Sequence, residues 1–166
     1  MSAEANKKLV HDVIDVIFNQ QDLARLEEFF TEDFFNHDGF PGAPTGPAAF
    51  RAYLPMMKAA FPDRILTPEF TLCDGDRVVS RTITEGTMTG SFMGIPATGK
   101  PYRITATDTY QIRDGKICAR WGNEDSLGMM QQLGLLEGGW RTATNDDAGS
   151  LAGDYGKSGK EPESSI

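Results

Sequence analysis

A chain of 166 residues is one domain's worth of polypeptide, long enough to bury a core without disulfides or a structural metal. Its 24 acidic against 16 basic side chains leave a formal charge of -8, which argues against nucleic acid or an anionic membrane surface as partner. Apolar runs reach only a few residues, far short of the roughly 20 that cross a bilayer, and the two cysteines, Cys73 and Cys118, are too few for a disulfide framework.

The opening "MSAEANKKLV" has no charged-then-apolar secretion signal, so a reducing cytoplasm is the expected location. From Asn6 to Asn19, Leu9, Val10, Val13, Ile14, Val16 and Ile17 recur at three- and four-residue spacing and predict an amphipathic helix. Leu23, Leu26, Phe29 and Phe30 predict a second, short helix with Asp22 as its N-cap. The stretch "FFNHDGFPGAPTGP" reads as a break. A third helix is predicted over Pro47–Phe61, with proline suited to its first position and Phe50, Leu54, Met57 and Phe61 on one side. Pro55 is expected to kink it.

Strand character follows. "EFTLCDGDRVVSRTITEGTMTG", "KPYRITATDTYQI" and "KICARWGNE" are rich in Val, Ile, Thr, Tyr and Phe and carry Asp-Gly turns. Helices first and strands later predict an α+β domain, with helices on one face of an antiparallel sheet. The domain is expected over 1–137. From Gly138 onward, Gly, Ser, Asp and Lys with few apolar anchors predict a disordered tail over 138–166.

Several motifs carry little. "GIPATGKP" approaches the phosphate-binding G-x-x-x-x-G-K-[ST] loop, but Pro101 replaces the hydroxyl residue and Tyr102–Gln111 reads as a strand where a helix is needed. His11 and His37 stand apart and the cysteines are unpaired, so no zinc spacing exists. No G-x-S-x-G elbow occurs, and Cys73 and Cys118 are expected to be structural thiols.

The Asp114-Gly115 turn is more informative, because a two-residue hairpin sets a register in which Arg113 faces Lys116, Tyr110 faces Ala119 and Asp108 faces Trp121. Strict alternation then puts Ile104, Ala106, Asp108, Tyr110, Ile112, Ile117, Ala119, Trp121, Asn123 and Asp125 on one apolar face, and Arg120 and Glu124 on the other. On an apolar face Asp108, Asn123 and Asp125 are anomalous: they line a cavity or are satisfied structurally. In a cavity, burial would raise a carboxyl pKa toward that of a general acid or base. Asp125 also directly precedes "SLGMMQQLG", so helix capping accounts for it equally well. Asp108 could be a buried carboxylate held by hydroxyl and amide groups, and His37 a plain loop residue.

"VIDVIFNQQDLARLEEFFTEDFFNHD", "AAFPD", "GDRVVSR", "GTMTGSFMGIPATGK" and "DGKICARWGNEDSLGMMQQLG" resemble, in order, the motifs of the SnoaL-like polyketide cyclases (ester cyclases) of the NTF2-like superfamily. The resemblance covers about Asn6 to Leu135. It implies a cone-shaped α+β barrel with a curved antiparallel sheet around an apolar pocket, in a homo-oligomer, dimer or tetramer. It implies a small hydrophobic, polyketide-like substrate, no metal or organic cofactor, and an intramolecular aldol closure of a polyketide ester.

By motif position the acid/base aspartate of that family is Asp125, with His37 as a second catalytic residue. Asn36, Tyr53, Phe92, Asp108, Trp121 and Asn123 are expected to contact substrate. Limonene epoxide hydrolase, on the same fold, has an arginine two residues before an aspartate on one strand, where this chain has Ala106. An epoxide hydrolase, an isomerase, a hydroxylating relative or a non-catalytic ligand-binding protein remain as alternatives.

Overall fold

A computed structural model of the chain describes residues 2–39 and 44–136; the expected tail lies outside the described residues. Helix α1 (Ala3–Asp12) begins at Ser2, whose hydroxyl accepts the Ala5 N–H, and continues without a break as a π-helix over Val13–Asn19. The wider turn keeps Val13, Ile14, Ile17 and Phe18 all buried. At its end the Asn19 side chain accepts from Leu66 N and donates to Leu66 O at 2.9 and 3.0 Å, tying the helix to an edge strand. The second helix is a 3-10 turn (Leu23–Arg25) followed by α2 (Leu26–Phe29), and Asp22 makes no side-chain cap.

The expected break after it is corrected in part. Phe30–Asn36 is a strand, β1, and it pairs in parallel with the last strand of the sheet. Its pattern is not an alternating one, and the pairing that stabilises it lies more than 80 residues away, where local periodicity carries no information. Helix α3 (Ala48–Ala60) places Pro47 at the N-cap and runs on through Pro55. Pro55 is exposed, so the Arg51 carbonyl that loses its donor can face water, while Phe50, Leu54, Met57 and Ala60 bury the opposite side.

Strands β2 (Ile65–Asp74), β3 (Arg77–Thr87), β4 (Pro101–Arg113) and β5 (Lys116–Glu124) complete a sheet ordered β1-β5-β4-β3-β2, antiparallel except at β1, and α4 (Ser126–Gln132) follows. The phosphate-loop look-alike is a glycine-bent connection that leads into β4. No helix N-terminus stands behind it. One core cluster joins α1, the π-helix and α3 to the inner sheet face around Phe30, Phe34 and Tyr110; a second gathers Met57, Phe61, Met88, Tyr102, Met129 and Leu133.

The β4–β5 hairpin decides where the site forms. Asp114 and Gly115 have φ of 51° and 79°, the two positive values that the Asp-Gly pair predicts for a type I′ turn. Arg113 pairs with Lys116 as expected, and Ile112 with Ile117, but Gln111 then pairs with Ala119 and leaves Cys118 unmatched. This β-bulge shifts every later pair: Tyr110 faces Arg120, Asp108 faces Gly122 and Ala106 faces Glu124, in place of the expected Tyr110–Ala119 and Asp108–Trp121 pairs. One extra residue reverses the alternation. Arg120, Gly122 and Glu124 turn to the inner face, and Trp121 and Asn123 turn away from it.

Candidate functional site

The inner sheet face, the π-helix and α3 enclose a cavity of about 430 Å3. Phe18, Phe50, Leu66 and Ala106 form apolar parts of its wall. Its polar groups come mainly from the sheet: Thr82 and Thr84 from β3, Asp108 and Tyr110 from β4, Arg120 and Glu124 from β5. That size and mixture suit a small organic ligand held by a few directed polar contacts.

At its centre Asp108 Oδ1 accepts from Arg120 Nη2 at 2.5 Å, and Arg120 Nη1 donates to Asn36 Oδ1 at 3.1 Å. The parallel pairing of Asn36 with Arg120 places the amide beside the guanidinium. Gly122 lies opposite Asp108, and its N–H donates to Asp38 Oδ2 at 2.6 Å. The Tyr110 hydroxyl lies beside both Asp108 and Arg120 and interacts electrostatically with each. Asp108 is buried, as is Tyr110.

Burial pushes the Asp108 carboxyl above its ordinary value, with Arg120 pulling the other way. Burial likewise raises the Tyr53 and Tyr110 hydroxyls, the latter strongly, so both hold their protons at neutral pH. Burial works against the Arg120 charge, but Asp108 and Tyr110 outweigh it and raise its pKa. The result is a buried carboxyl with a raised pKa, held on one oxygen by a permanent cation and flanked by the Tyr110 hydroxyl.

Four of the residues expected at the site, Asn36, Tyr53, Asp108 and Asn123, do line the cavity, though Asn123 is exposed and stands at an outward-alternating position near the end of β5. The other four lie elsewhere. Asp125 is exposed and caps α4, its Oδ1 accepting from Gly128 N at 2.8 Å, so the inward-facing placement is corrected in favour of the capping account. His37 is exposed and stacks on Trp121 with ring centroids 4.3 Å apart, on the outer side to which the bulge turns that strand position. Phe92 packs edge-on against Phe61 in the second core cluster.

Sequence reasoning missed Arg120 and Glu124, which strict alternation assigned to the solvent face. It also passed over Arg64, at the turn between α3 and β2, which lines the cavity. Tyr110 had a usable signal, since it stands two residues after Asp108 on the same strand face. Nothing local marks the bulge at Cys118.

A family model, SnoaL-like polyketide cyclase, matches residues 8–133. Aklanonic acid methyl ester cyclase DauD from Streptomyces sp. (strain C5) is 30% identical over 122 residues, which span 70% of this chain and 76% of that protein. Among solved structures, TsrD from Streptomyces laurentii superposes with a TM-score of 0.75 at 25% identity, over 82% of this chain and 99% of its own. IdmH from Streptomyces antibioticus, a candidate polyketide cyclase, gives a TM-score of 0.68 at 28% identity, over 78% of this chain and 98% of its own. The architecture of helices followed by a curved five-stranded sheet is thus the NTF2-like α+β fold.

Proposed function

The chain belongs to the SnoaL-like polyketide cyclase family, and from that premise we propose that it closes a ring in a small polyketide-derived ester by an intramolecular aldol reaction, with Asp108 as general acid and base. The observation that carries this reading is the burial of Asp108 in the cavity wall, which raises its pKa while Arg120 holds one of its oxygens. Asp125 is not given this role, because its carboxyl is engaged by the N-terminus of α4.

In this scheme ionised Asp108 takes a proton from the carbon beside a substrate carbonyl, and the electron pair moves onto that carbonyl oxygen as an enolate. The enolate carbon then attacks a second carbonyl of the same molecule; a C–C bond forms and the π electrons of that carbonyl become an alkoxide. Asp108 returns its proton to the alkoxide, so the product is an isomer of the substrate and no co-reactant is consumed. Tyr53, kept protonated by burial, lines the same cavity, and in this scheme its hydroxyl would turn to donate to a developing oxyanion. The Asn36–Arg120 contact orients the base, and the apolar wall keeps bulk water from quenching the enolate.

Aklanonic acid methyl ester, named for the substrate of the curated relative, is the first compound to assay. Conversion to a product of unchanged mass, lost in Asp108→Asn with substrate affinity retained, supports the proposal. Full turnover by Asp108→Asn, or loss of turnover in Asp125→Asn alone, would remove Asp108 from the role.

A second reading is favoured by one contact. An arginine meets the buried aspartate here from the neighbouring strand, which supports water activation of the epoxide-hydrolase kind despite Ala106. Uptake of one 18O from labelled water into an epoxide-derived diol would select it.

Self-association is part of the same proposal. Phe35, Phe70 and Leu72 are 49%, 50% and 62% exposed on the outer sheet face and suit a homo-oligomer; light scattering in solution tests this.

A further inference from the structure

Asn36, His37 and Asp38 meet Arg120, Trp121 and Gly122 of β5 one for one. Asn36 Oδ1 accepts from Arg120 Nη1 at 3.1 Å, and Asp38 Oδ2 accepts from Gly122 N at 2.6 Å. Between them His37 N donates to Arg120 O at 2.9 Å, and the His37 ring stacks on Trp121. Asn36, Asp38, Arg120 and Gly122 line the cavity, whereas His37 and Trp121 stand on the outer side of the sheet. The contacts therefore alternate inner, outer, inner, as side chains on extended backbone must.

Backbone pairing alone holds this corner weakly. β1 is an edge strand, and after an irregularity beyond Phe30 its ladder has only the Phe35–Ala119 and Asn36–Arg120 pairs. Past Asn36 the strand ends and side chains take over. The His37 and Trp121 rings lie 4.3 Å apart at an interplanar angle of 14°, and Phe35 meets the imidazole edge-on at 4.7 Å. Arg77 reaches the same indole from β3, its Cζ 5.1 Å from the ring centroid. Flat stacking and the cation both fix the indole in place.

The position of this corner matters to Asp108 because Arg120 joins the two. Arg120 Nε is buried and has no hydrogen-bond partner among the described residues, so the guanidinium is oriented by what its Nη atoms meet: Asn36 on Nη1 and Asp108 on Nη2. One planar group carries any shift of the Asn36 amide to the carboxyl.

We infer that His37 is a positioning residue: its stack on Trp121 latches the Asn36–Asp38 corner onto β5 from outside the cavity and thereby fixes the guanidinium beside Asp108. This role rests on the reading of the cavity as the substrate site, but on no particular reaction there. The imidazole acts as a flat ring, and its nitrogens take no part.

The test uses the full chain and the 13C carboxyl signal of Asp108, identified by its absence in Asp108→Asn and followed by NMR against pH. Arg120 holds this carboxyl down against burial, so a displaced guanidinium lets it titrate at higher pH, with Arg120→Met as the upper limit. Glu124 and Tyr110, which also act on Asp108, are unchanged in the latch variants. His37→Ala is expected to raise the midpoint by about half a pH unit or more toward that limit, and Trp121→Leu by a similar amount. The double variant should shift no further than Trp121→Leu alone, since both changes break one contact. His37→Phe, which keeps a flat ring without nitrogen, should titrate as wild type does. A wild-type midpoint in His37→Ala, whatever its stability, overturns the latch and leaves His37 a merely structural role. A shift in His37→Phe as large as in His37→Ala, or additive shifts in the double variant, overturn it too. The titration needs no substrate, so its outcome is separate from whether Asp108 is the base.

Discussion

Gly122 stands across the β4–β5 ladder from Asp108, and the space left by its missing side chain is filled by the Asp108–Arg120 pair. A Cβ at Gly122 would lie 2.5 Å from Asp108 Oδ1 and 2.5 Å from Arg120 Nη2. Any side chain there must displace the buried pair.

Gly122→Ala is accordingly expected to lower stability by about 1–3 kcal/mol, the usual cost of overpacking, and to reduce turnover through a misplaced Asp108. Urea unfolding and steady-state kinetics measure the two. A variant of wild-type stability and activity would show that the pair has slack the geometry does not indicate.

Removing one partner of the pair leaves a buried charge uncompensated. Asp108→Leu and Arg120→Met are each expected to cost about 3–5 kcal/mol, and the double variant less than either, since two apolar groups of similar volume leave nothing unpaired. A double-mutant cycle by chemical denaturation checks this; simple additivity would deny the coupling.

The raised Asp108 pKa has a definite sign. Burial makes the folded state hold this proton more tightly than the unfolded chain does, with Arg120 opposing. The stabilisation from that proton is complete below the unfolded value, about 3.9 for an aspartate, and is lost as pH rises through the folded value. Wild type should therefore lose stability relative to Asp108→Asn across that window and stay level above it. If ionised Asp108 is the base, kcat/KM rises with pH through the same pKa, and Arg120→Met shifts that rise to higher pH by removing the charge that holds the carboxyl down. Thermal melts and kcat/KM profiles against pH report both.

Asp125 gives the contrasting case. Asp125→Ala should cost about 0.5–2 kcal/mol through loss of the α4 cap, while Asp125→Asn, which can still accept from Gly128 N, should lose less, and both should turn over substrate within a few-fold of wild type. A collapse of kcat in Asp125→Asn at unchanged stability would return the acid/base role to Asp125.

The order of helices and strands apart from β1, the apolar face of the first helix, the Asp-Gly hairpin turn and the presence of Asp108 and Tyr110 on the inner face of β4 were legible in the amino-acid sequence. These follow from periodicities of 3.6 and 2 and from the positive φ an Asp-Gly turn supplies, all of which act within a few residues. The choice between Asp125 as a cap and Asp125 as a cavity residue was open there, because one local pattern fits both. The tertiary structure alone decided the rest. The Cys118 bulge, set by the pairing of β5 with its neighbours β4 and β1, turns Arg120 inward and carries Trp121 and His37 outside. Asn36 reaches Arg120, and Arg64 comes beside Tyr102, only through contacts between segments far apart in the chain. A one-residue slip in register moves every later side chain to the other face, and which residue is left unpaired is decided across strands, where no pattern along a single strand can record it.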